Sequence, residues 1–355
     1  MTVASGSRVS IRRALLQDRP RVFEWLVHSD LTPQVFGPLF PEREPPTREQ
    51  FASRYVNSCF DGTRPYSGRM FVIAAGEEEV GCIAHGPINL LKDVVELDIW
   101  LAGAQHSGRG VASQALAVLA EWLQASYGVN RFLARPSRRN VRALRALRRA
   151  GFRETDLPAQ EVIATLRLPP GGYSDEVLLF RVLPEPPSTL QREDGRTYVF
   201  VDSEFTKLFQ PELISLGAVA TDATAFYAEV RGWSPDRTSE FVRQVVIPLL
   251  DGDAVPTDVA AEAFAAWLDE RTGRAPTTII SDSGFDRWAL AELLGTEDLP
   301  DGVEWKRVSI AYEDLDRAAL GLNLRRHHAL DDARALRHLL LSPRASAPPD
   351  EGPAR

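Results

Sequence analysis

A chain of 355 residues, 44% hydrophobic and 25% charged, has ordinary globular composition and a length that suits two domains better than one. The net charge of −8 argues against a general nucleic-acid coat protein but not against a nuclease, whose metal-binding carboxylates carry negative charge that bound cations offset. With two cysteines, Cys59 and Cys82, there is no sign of a disulfide framework or thiolate metal site, the first residues have no apolar signal-peptide core, and no apolar run approaches the roughly 20 residues that span a bilayer, so a cytoplasmic protein without a membrane partner is expected.

In chain order, "FVIAAG" and "EVGCIAHGPI" read as paired strands around a polar turn, and "VVELDIWLAG" as another strand. "VASQALAVLAEWLQAS" is an amphipathic helix, with Ala115, Leu119 and Trp122 spaced along one side. "RFLARP" is a strand, and "NVRALRALRRAGF" a helix capped by Asn140 and stopped at Gly151. After the strand-like "DEVLLFRVL" comes "LPEPPSTLQREDGR", rich in proline and polar residues, which reads as a linker or covered connector. The second half begins with the strands "TYVFVD", "ELISLGAVAT" and "TAFYAEV", then helices at "SEFVRQVVIPLL" and "DVAAEAFAAWLDERTG". A strand "TTIISD", a helix "FDRWALAELLG" and a last helix from "ALDDARALRHLLL" follow, and the tail from 342 to 355 is expected to be disordered. Both halves are mixed α/β (α+β), and neither repeats the other.

"QHSGRGVASQAL" joins a strand to a helix. Gly108 and Gly110 remove side chains where a backbone must approach a ligand, and the first N–H groups of the helix point outward with the positive end of its dipole, an arrangement suited to a pyrophosphate. A plain glycine turn is the competing reading. The pattern Gln105-x-x-Gly108-x-Gly110, with "RPSRRNVRALRALRRAGFRE" downstream, resembles the GNAT N-acetyltransferases over about 8–183, most nearly the aminoglycoside 6'-N-acetyltransferase type. The resemblance implies a GNAT fold with a mixed sheet, acetyl-CoA as co-substrate, and CoA contacts from Gln105, Gly108, Arg109, Gly110, Val111, Ala112 and Asn140. It implies Asp98 as the base that takes a proton from a primary-amine acceptor, with Glu96, two residues away on the same strand face, as the alternative and a solvated strand residue as the bland reading of Asp98. Leu147 stands where many relatives carry a tyrosine proton donor, which leaves open a domain that binds CoA or regulates without turnover. Arg138, Arg139, Arg142 and Arg145 are within reach of CoA phosphates or form a solvated helix face; Glu42 and Glu44 either attract a cationic acceptor or are solvated loop charges.

"VFVDSEFT" places Asp202 and Glu204 two apart at the end of an apolar strand, hence on one face. Such carboxylates repel each other and lose hydration unless a cation lies between them, and hard divalent ions favour oxygen ligands. A second apolar strand leads to Asp282 and Asp286, and "HHALDDA" supplies His327, His328, Asp331 and Asp332 at a helix start. Each has a bland alternative as a turn, cap or first-turn dipole partner. Taken in order, Asp202-Ser203-Glu204, Asp286 and His327-x-Ala329-Leu330-x-Asp332-Ala333 resemble the DEDDh 3'-5' exonucleases, and most nearly small bacterial exoribonucleases.

That resemblance covers about 195–341 and implies an RNase H-like mixed sheet flanked by helices, with domains at 8–183 and 197–341 joined by a linker, 184–196. Asp202, Glu204, Asp286 and Asp332 would hold two Mg2+ or Mn2+, and His327 would be the general base. The expected partner is the single-stranded 3' end of a nucleic acid, RNA before DNA. The loop before Asp286 is about one residue short, which leaves the part of Asp282 open. Phe205, Leu208, Phe209 and Trp288 are the candidates for base stacking, with core packing the stronger reading for Trp288. The assembly state is left open, a dimer included.

Overall fold

The computed structural model describes residues 2–5, 8–168 and 171–342; the expected disordered tail, apart from Ser342, lies outside the described residues. Backbone contacts divide the chain into two compact units, one of Met1–Glu185 with Gly295–Asp298 and one of Pro186–Leu294 with Leu299–Arg355.

The first unit is built on eight strands: β1 (Thr2–Ser5), β2 (Val9–Arg13), β3 (Arg69–Ala75), β4 (Glu78–His85), β5 (Val94–Leu101), β6 (Arg131–Ala134), β7 (Arg153–Glu154) and β8 (Leu179–Val182). They form one sheet in the order β1-β2-β3-β4-β5-β6-β8-β7, antiparallel except where β5 meets β6. Its helices are α1 (Arg19–Val27), α2 (Arg48–Arg54), α3 (Ser58–Asp61), α4 (Val111–Tyr127), α5 (Val141–Arg149) and α6 (Ala159–Leu166). Strand alternation sorts the core. Phe71 and Ile73 of β3 join Leu116, Leu119 and Leu123 of α4, while Met70 and Val72 join Phe23 and Leu26 of α1 and Phe51 of α2. Both cysteines are free.

The second unit has β9 (Thr197–Phe205), β10 (Leu213–Ala220), β11 (Ala225–Glu229), β12 (Thr277–Ser281) and β13 (Val303–Arg307) in the order β11-β10-β9-β12-β13. β9, β10 and β11 are antiparallel neighbours, whereas β12 runs parallel to β9 and β13 parallel to β12. Its helices are α7 (Thr257–Thr272), α8 (Gly284–Leu294), α9 (Tyr312–Gly321) and α10 (Ala329–Leu341). Tyr198 and Phe200 of β9 face Leu315 and Ala319 of α9 and Ala335 and Leu336 of α10. The connector is not a free spacer: Leu190 packs on this core, and Ser309 N donates to Pro187 O at 3.0 Å.

In the first unit β1, β2, α1, α2, α3, β7 and α6 lie in stretches for which no element was expected, and in the second unit three elements differ from expectation. "SEFVRQVVIPLL" is not an α-helix but a π turn, Val242–Val246, followed by a 3-10 turn, Ile247–Leu249, with Pro248, which has no N–H for a helix ladder, within it. β13 and α9 were not foreseen. β13 is a short edge strand carrying Glu304, Lys306 and Arg307, and α9 has only Leu315, Ala318 and Ala319 buried.

Candidate active sites

The acidic site of the second unit follows from a mismatch in strand length. β12 pairs with β9 from Thr277↔Thr197 to Ile280↔Phe200, and β9 then continues to Phe205. Beyond Phe200 that edge of β9 is open, at the carboxyl ends of two parallel strands. Asp202 and Glu204 lie on this extension, on the same strand face as Tyr198 and Phe200. β12 ends at Ser281, and the chain turns through Asp282 into α8, whose first turn carries Asp286. Gly217 of β10 lies opposite Asp202 in register. It lets α10 approach, since a Cβ at Gly217 would meet Leu330 N at 2.3 Å. α10 then brings in Asp332.

Two groups of donor atoms result, each within 4.8 Å of one another: Asp202 with Asp282 and Asp286, and Glu204 with His327 and Asp332. The five carboxyls and one imidazole include all four expected metal ligands, the expected base, and Asp282. Asp286 and Asp332 are 2% and 4% exposed, so their polar atoms need partners. Ser203 Oγ donates to Asp286 Oδ1 at 2.7 Å, while Asp286 Oδ2 and Asp332 Oδ1 are buried with no hydrogen-bond partner. Two buried carboxylate oxygens without partners, on residues of these two acidic groups, fit hard cations. Burial, then the neighbouring carboxylates, pushes Asp202 and Asp286 well above the usual range, and Glu204 is pushed up to about 8 by burial and Asp332. Asp282 and Asp332 are also raised, by burial first.

His327 has a left-handed backbone, φ 65°, and its N–H donates to Asp332 Oδ2 at 2.9 Å. Tyr312 Oη lies 3.0 Å from Nε2, and Phe241 meets the ring edge-on with centroids 4.9 Å apart. Burial, then Arg326, holds the imidazole below its ordinary pKa, which favours the neutral ring. His328 and Asp331 point elsewhere. The His328 ring is buried against Tyr227, centroids 4.6 Å apart, and Asp331 pairs with Arg325 and Arg334 at 2.8 Å each. Of the stacking candidates, Phe205 stacks on Phe285 and Trp288 is buried beside it, whereas Leu208 and Phe209 are exposed.

In the first unit, β5 pairs with β6 only from Val94↔Arg131 to Glu96↔Leu133, then runs on to Leu101. A cleft of about 520 Å³ has Ile99, Trp100 and Leu101 on one side and the starts of α4 and α5 on the other. Gly108 and Gly110 have φ +77° and +82°, in the left-handed region that favours glycine. Gln114 N makes the first backbone bond of α4, to Gly110 O, so the N–H groups of Val111 and Ala112 precede the helical ladder. A glycine-permitted turn, a helix N-terminus and a neighbouring strand with a free edge are suited to a long ligand with an anionic end.

Residues 8–153 match the family model described as an acetyltransferase (GNAT) domain. Residues 8–153 are a GNAT acetyltransferase domain. Among solved structures, the chain is similar to AAC(6')-Ib in complex with paromomycin and acetyl-CoA, at 19% identity and TM-score 0.38, over 50% of this chain and 94% of that one. It is similar to RimL, a ribosomal L7/L12 alpha-N-protein acetyltransferase in complex with CoA, at 15% identity and TM-score 0.40, over 52% and 98%. It is also similar to a spermidine N-acetyltransferase from Vibrio cholerae, at 16% identity and TM-score 0.38, over 50% and 96%. No curated protein matches the chain.

Within the GNAT domain, Gly108, Gly110, Val111, Ala112 and Asn140 line the cleft, and Gln105 and Arg109 do not. The Gln105 amide folds back to His106, Nε2 to Nε2 at 3.1 Å. Asn140 is committed at both ends of its amide, capping Ala143 N at 3.0 Å and donating to Gln34 O at 3.0 Å. Arg142 and Arg145 reach the cleft, whereas Arg138 pairs with Glu154, and Arg139 with Asp175 and Glu42. Glu42 is therefore an internal ion pair rather than a free attractor of cations. Asp98 is exposed on β5 beside Ala84. Glu96 accepts two bonds of 3.0 Å from Arg135, and burial, then Asp98, still raises its pKa. Leu147 is buried and lines the cleft. Among the described residues, no helix is long and apolar enough to cross a membrane.

Proposed function

We propose that the second unit, with its domain at 197–341, is a metal-dependent 3'-5' exonuclease of the DEDDh type with an RNase H-like fold. It would act on single-stranded 3' ends, RNA before DNA, and release 5'-mononucleotides. The observation that carries this reading is the convergence of Asp202, Glu204, Asp282, Asp286, Asp332 and His327, with two buried carboxylate oxygens left without partners. Asp202, Glu204, Asp286 and Asp332 would hold two Mg2+ or Mn2+, with Asp282 as an additional oxygen donor. When bound, such cations lower the pKa of a water and neutralise charge at the leaving 3'-oxygen. His327, held neutral by burial and steadied by Tyr312 and Phe241, takes the proton of the attacking water. The test is release of labelled mononucleotide from 3'-labelled RNA and DNA with Mg2+ or Mn2+. Cleavage that disappears in Asp286→Asn supports the reading; no cleavage of either substrate overturns it.

The first unit, over about 8–183, would be an acetyl-CoA-dependent N-acetyltransferase with a primary-amine acceptor. The N–H groups at the start of α4 take the pyrophosphate, Arg142 and Arg145 add positive charge, and the open edge of β5 offers backbone groups to an extended ligand arm. Asp98 takes the amine proton, directly or through water. A second reading, a domain that binds CoA or regulates without turnover, is favoured by one observation: Leu147 puts an apolar side chain where a proton donor to the thiolate is expected. Calorimetry with CoA, run beside acetyl-CoA consumption on an aminoglycoside, spermidine and a peptide N-terminus, separates the two. Consumption supports the enzyme, binding alone supports the second reading, and absence of binding overturns both.

A further inference from the structure

The two halves of the acidic site are not equivalent. The Glu204–His327–Asp332 half already contains a positive charge, Arg326. Its Nη1 donates to Asp332 Oδ2, its Nε donates to Asp316 Oδ1 at 2.7 Å, and its guanidinium lies over the Tyr312 ring, 4.9 Å from the centroid. With the Arg326 side chain 19% exposed and that of Asp332 5%, this is a held cation and not a solvated one. Its field also reaches Glu204 and Asp282. In the Asp202–Asp282–Asp286 half, Asp286 accepts from the neutral Ser203 hydroxyl and its Oδ2 has no partner, while Arg307 donates through Nε to Asp282 O at 3.3 Å and its charge acts on the Asp282 carboxyl.

We propose that Arg326 is a resident cation of the Glu204–His327–Asp332 half, so that a divalent ion binds Asp332 there in competition with the guanidinium, whereas Asp286 in the other half is bonded to a neutral hydroxyl. The inference rests on the metal-dependent reading above. It follows from charge. An arginine cannot give up its proton at any working pH, so the ion and the guanidinium compete for one carboxylate and repel each other across a few ångströms. Asp332 Oδ1, buried and without a partner, remains for the incoming ion. A phosphate at the site offers the displaced guanidinium a new pair of acceptor oxygens, so substrate and the second ion favour each other's binding.

The test is Mn2+ titration of the full chain, following free Mn2+ by electron paramagnetic resonance, with circular dichroism to check folding. Wild-type protein is expected to bind two ions in steps of unequal affinity. Arg326→Gln should tighten the weaker step by about tenfold or more and leave the tighter step in place. Asp316→Asn, which removes the anchor of Nε but keeps the charge, should move the weaker step the same way by less. A folded Arg326→Gln protein whose weaker step is unmoved or weakened overturns the proposal. If that variant does not fold, Asp316→Asn decides, and an unmoved step overturns it. Wild-type protein that binds no Mn2+ defeats the metal-dependent reading itself, an outcome distinct from two steps indifferent to Arg326.

Discussion

At the scale of single residues, the stretch "HHALDDARAL" separates into two pairs with different work. Asp332 and His327 face Glu204, whereas His328 and Asp331 are held by Tyr227, Arg325 and Arg334. Asp332→Ala is therefore expected to weaken Mn2+ binding and nearly abolish cleavage at every pH. His327→Ala should keep the metal and slow cleavage by about 10²–10⁴-fold, the range for loss of a general base. His328→Ala and Asp331→Ala should cleave while folded, but with a lower Tm, because each removes a buried contact. Mononucleotide release and thermal melts read all four; an inactive His328→Ala with an active His327→Ala places the register one residue off. The acidic pocket also sets a pH dependence without metal. Glu204 is raised from 4.5 to about 8 in the folded chain, so the neutral form is favoured by folding. Its contribution is intact below about 4.5 and is lost as pH rises through about 8. In EDTA, Tm should fall across that window, and Mg2+ should restore it. A Tm in EDTA that rises over the same range contradicts the pocket's electrostatics.

At the scale of elements, both sites arise where one strand outruns its neighbour: β9 past β12, and β5 past β6. Side chains at these ends are approached by a helix start, α8 and α10 in one case, α4 and α5 in the other. Gly217 shows how closely α10 is set. Its missing Cβ is what allows Ala329 and Leu330 to lie on β10 opposite Asp202. Gly217→Val is expected to lift the helix, cost about 1–3 kcal/mol by overpacking, and weaken Mn2+ binding although residue 217 touches no ion. Unchanged denaturant midpoint and metal affinity would show that α10 has room to move. Gly110→Asp acts on the other loop. It combines a side chain at φ +82° with a negative charge at the N-terminus of α4. CoA affinity by calorimetry should drop sharply while Mn2+ binding stays as in wild type; equal loss of both would point to general misfolding.

At the scale of the whole molecule, the boundary at Glu185 and Pro186 leads to a test by dissection. Fragments 1–185 and 186–355 are expected to fold separately, the first binding CoA and the second Mn2+, with the first melting below its counterpart in the full chain because it loses Gly295–Asp298, whose Glu297 pairs with Arg13 at 3.0 Å. The connector packs on the second core through Leu190, and Glu193 N donates to Tyr198 Oη at 2.7 Å. A fragment cut at 197 should therefore melt at lower temperature than one cut at 186. If both fragments aggregate while the full chain is soluble, the division into independent domains is wrong.

Periodicity and local chemistry were enough to locate the long elements. α4, α5, α7 and α10 announce themselves by helical spacing, with an Asn140 cap before α5 and a Gly151 stop after it. Strands β9, β10 and β12 do so by apolar runs, because a buried element must carry its apolar residues wherever it goes. The candidate ligands Asp202, Glu204, Asp286 and Asp332 were legible as acids placed at the ends of such elements. Asp282 was visible only as a neighbour of Asp286, since sequence spacing does not say which way a turn sends a side chain. β13 and α9, short and mostly solvated, lack the periodic burial that would mark them. The tertiary structure alone decided the rest: the pairing of Arg326 with Asp332, the packing of His328 away from the acidic pocket, the folding back of Gln105, and the asymmetry of the two halves of the acidic site. Those depend on distances between residues remote in the chain, which register, close approach at Gly217 and charge neutralisation set only once the sheet is assembled.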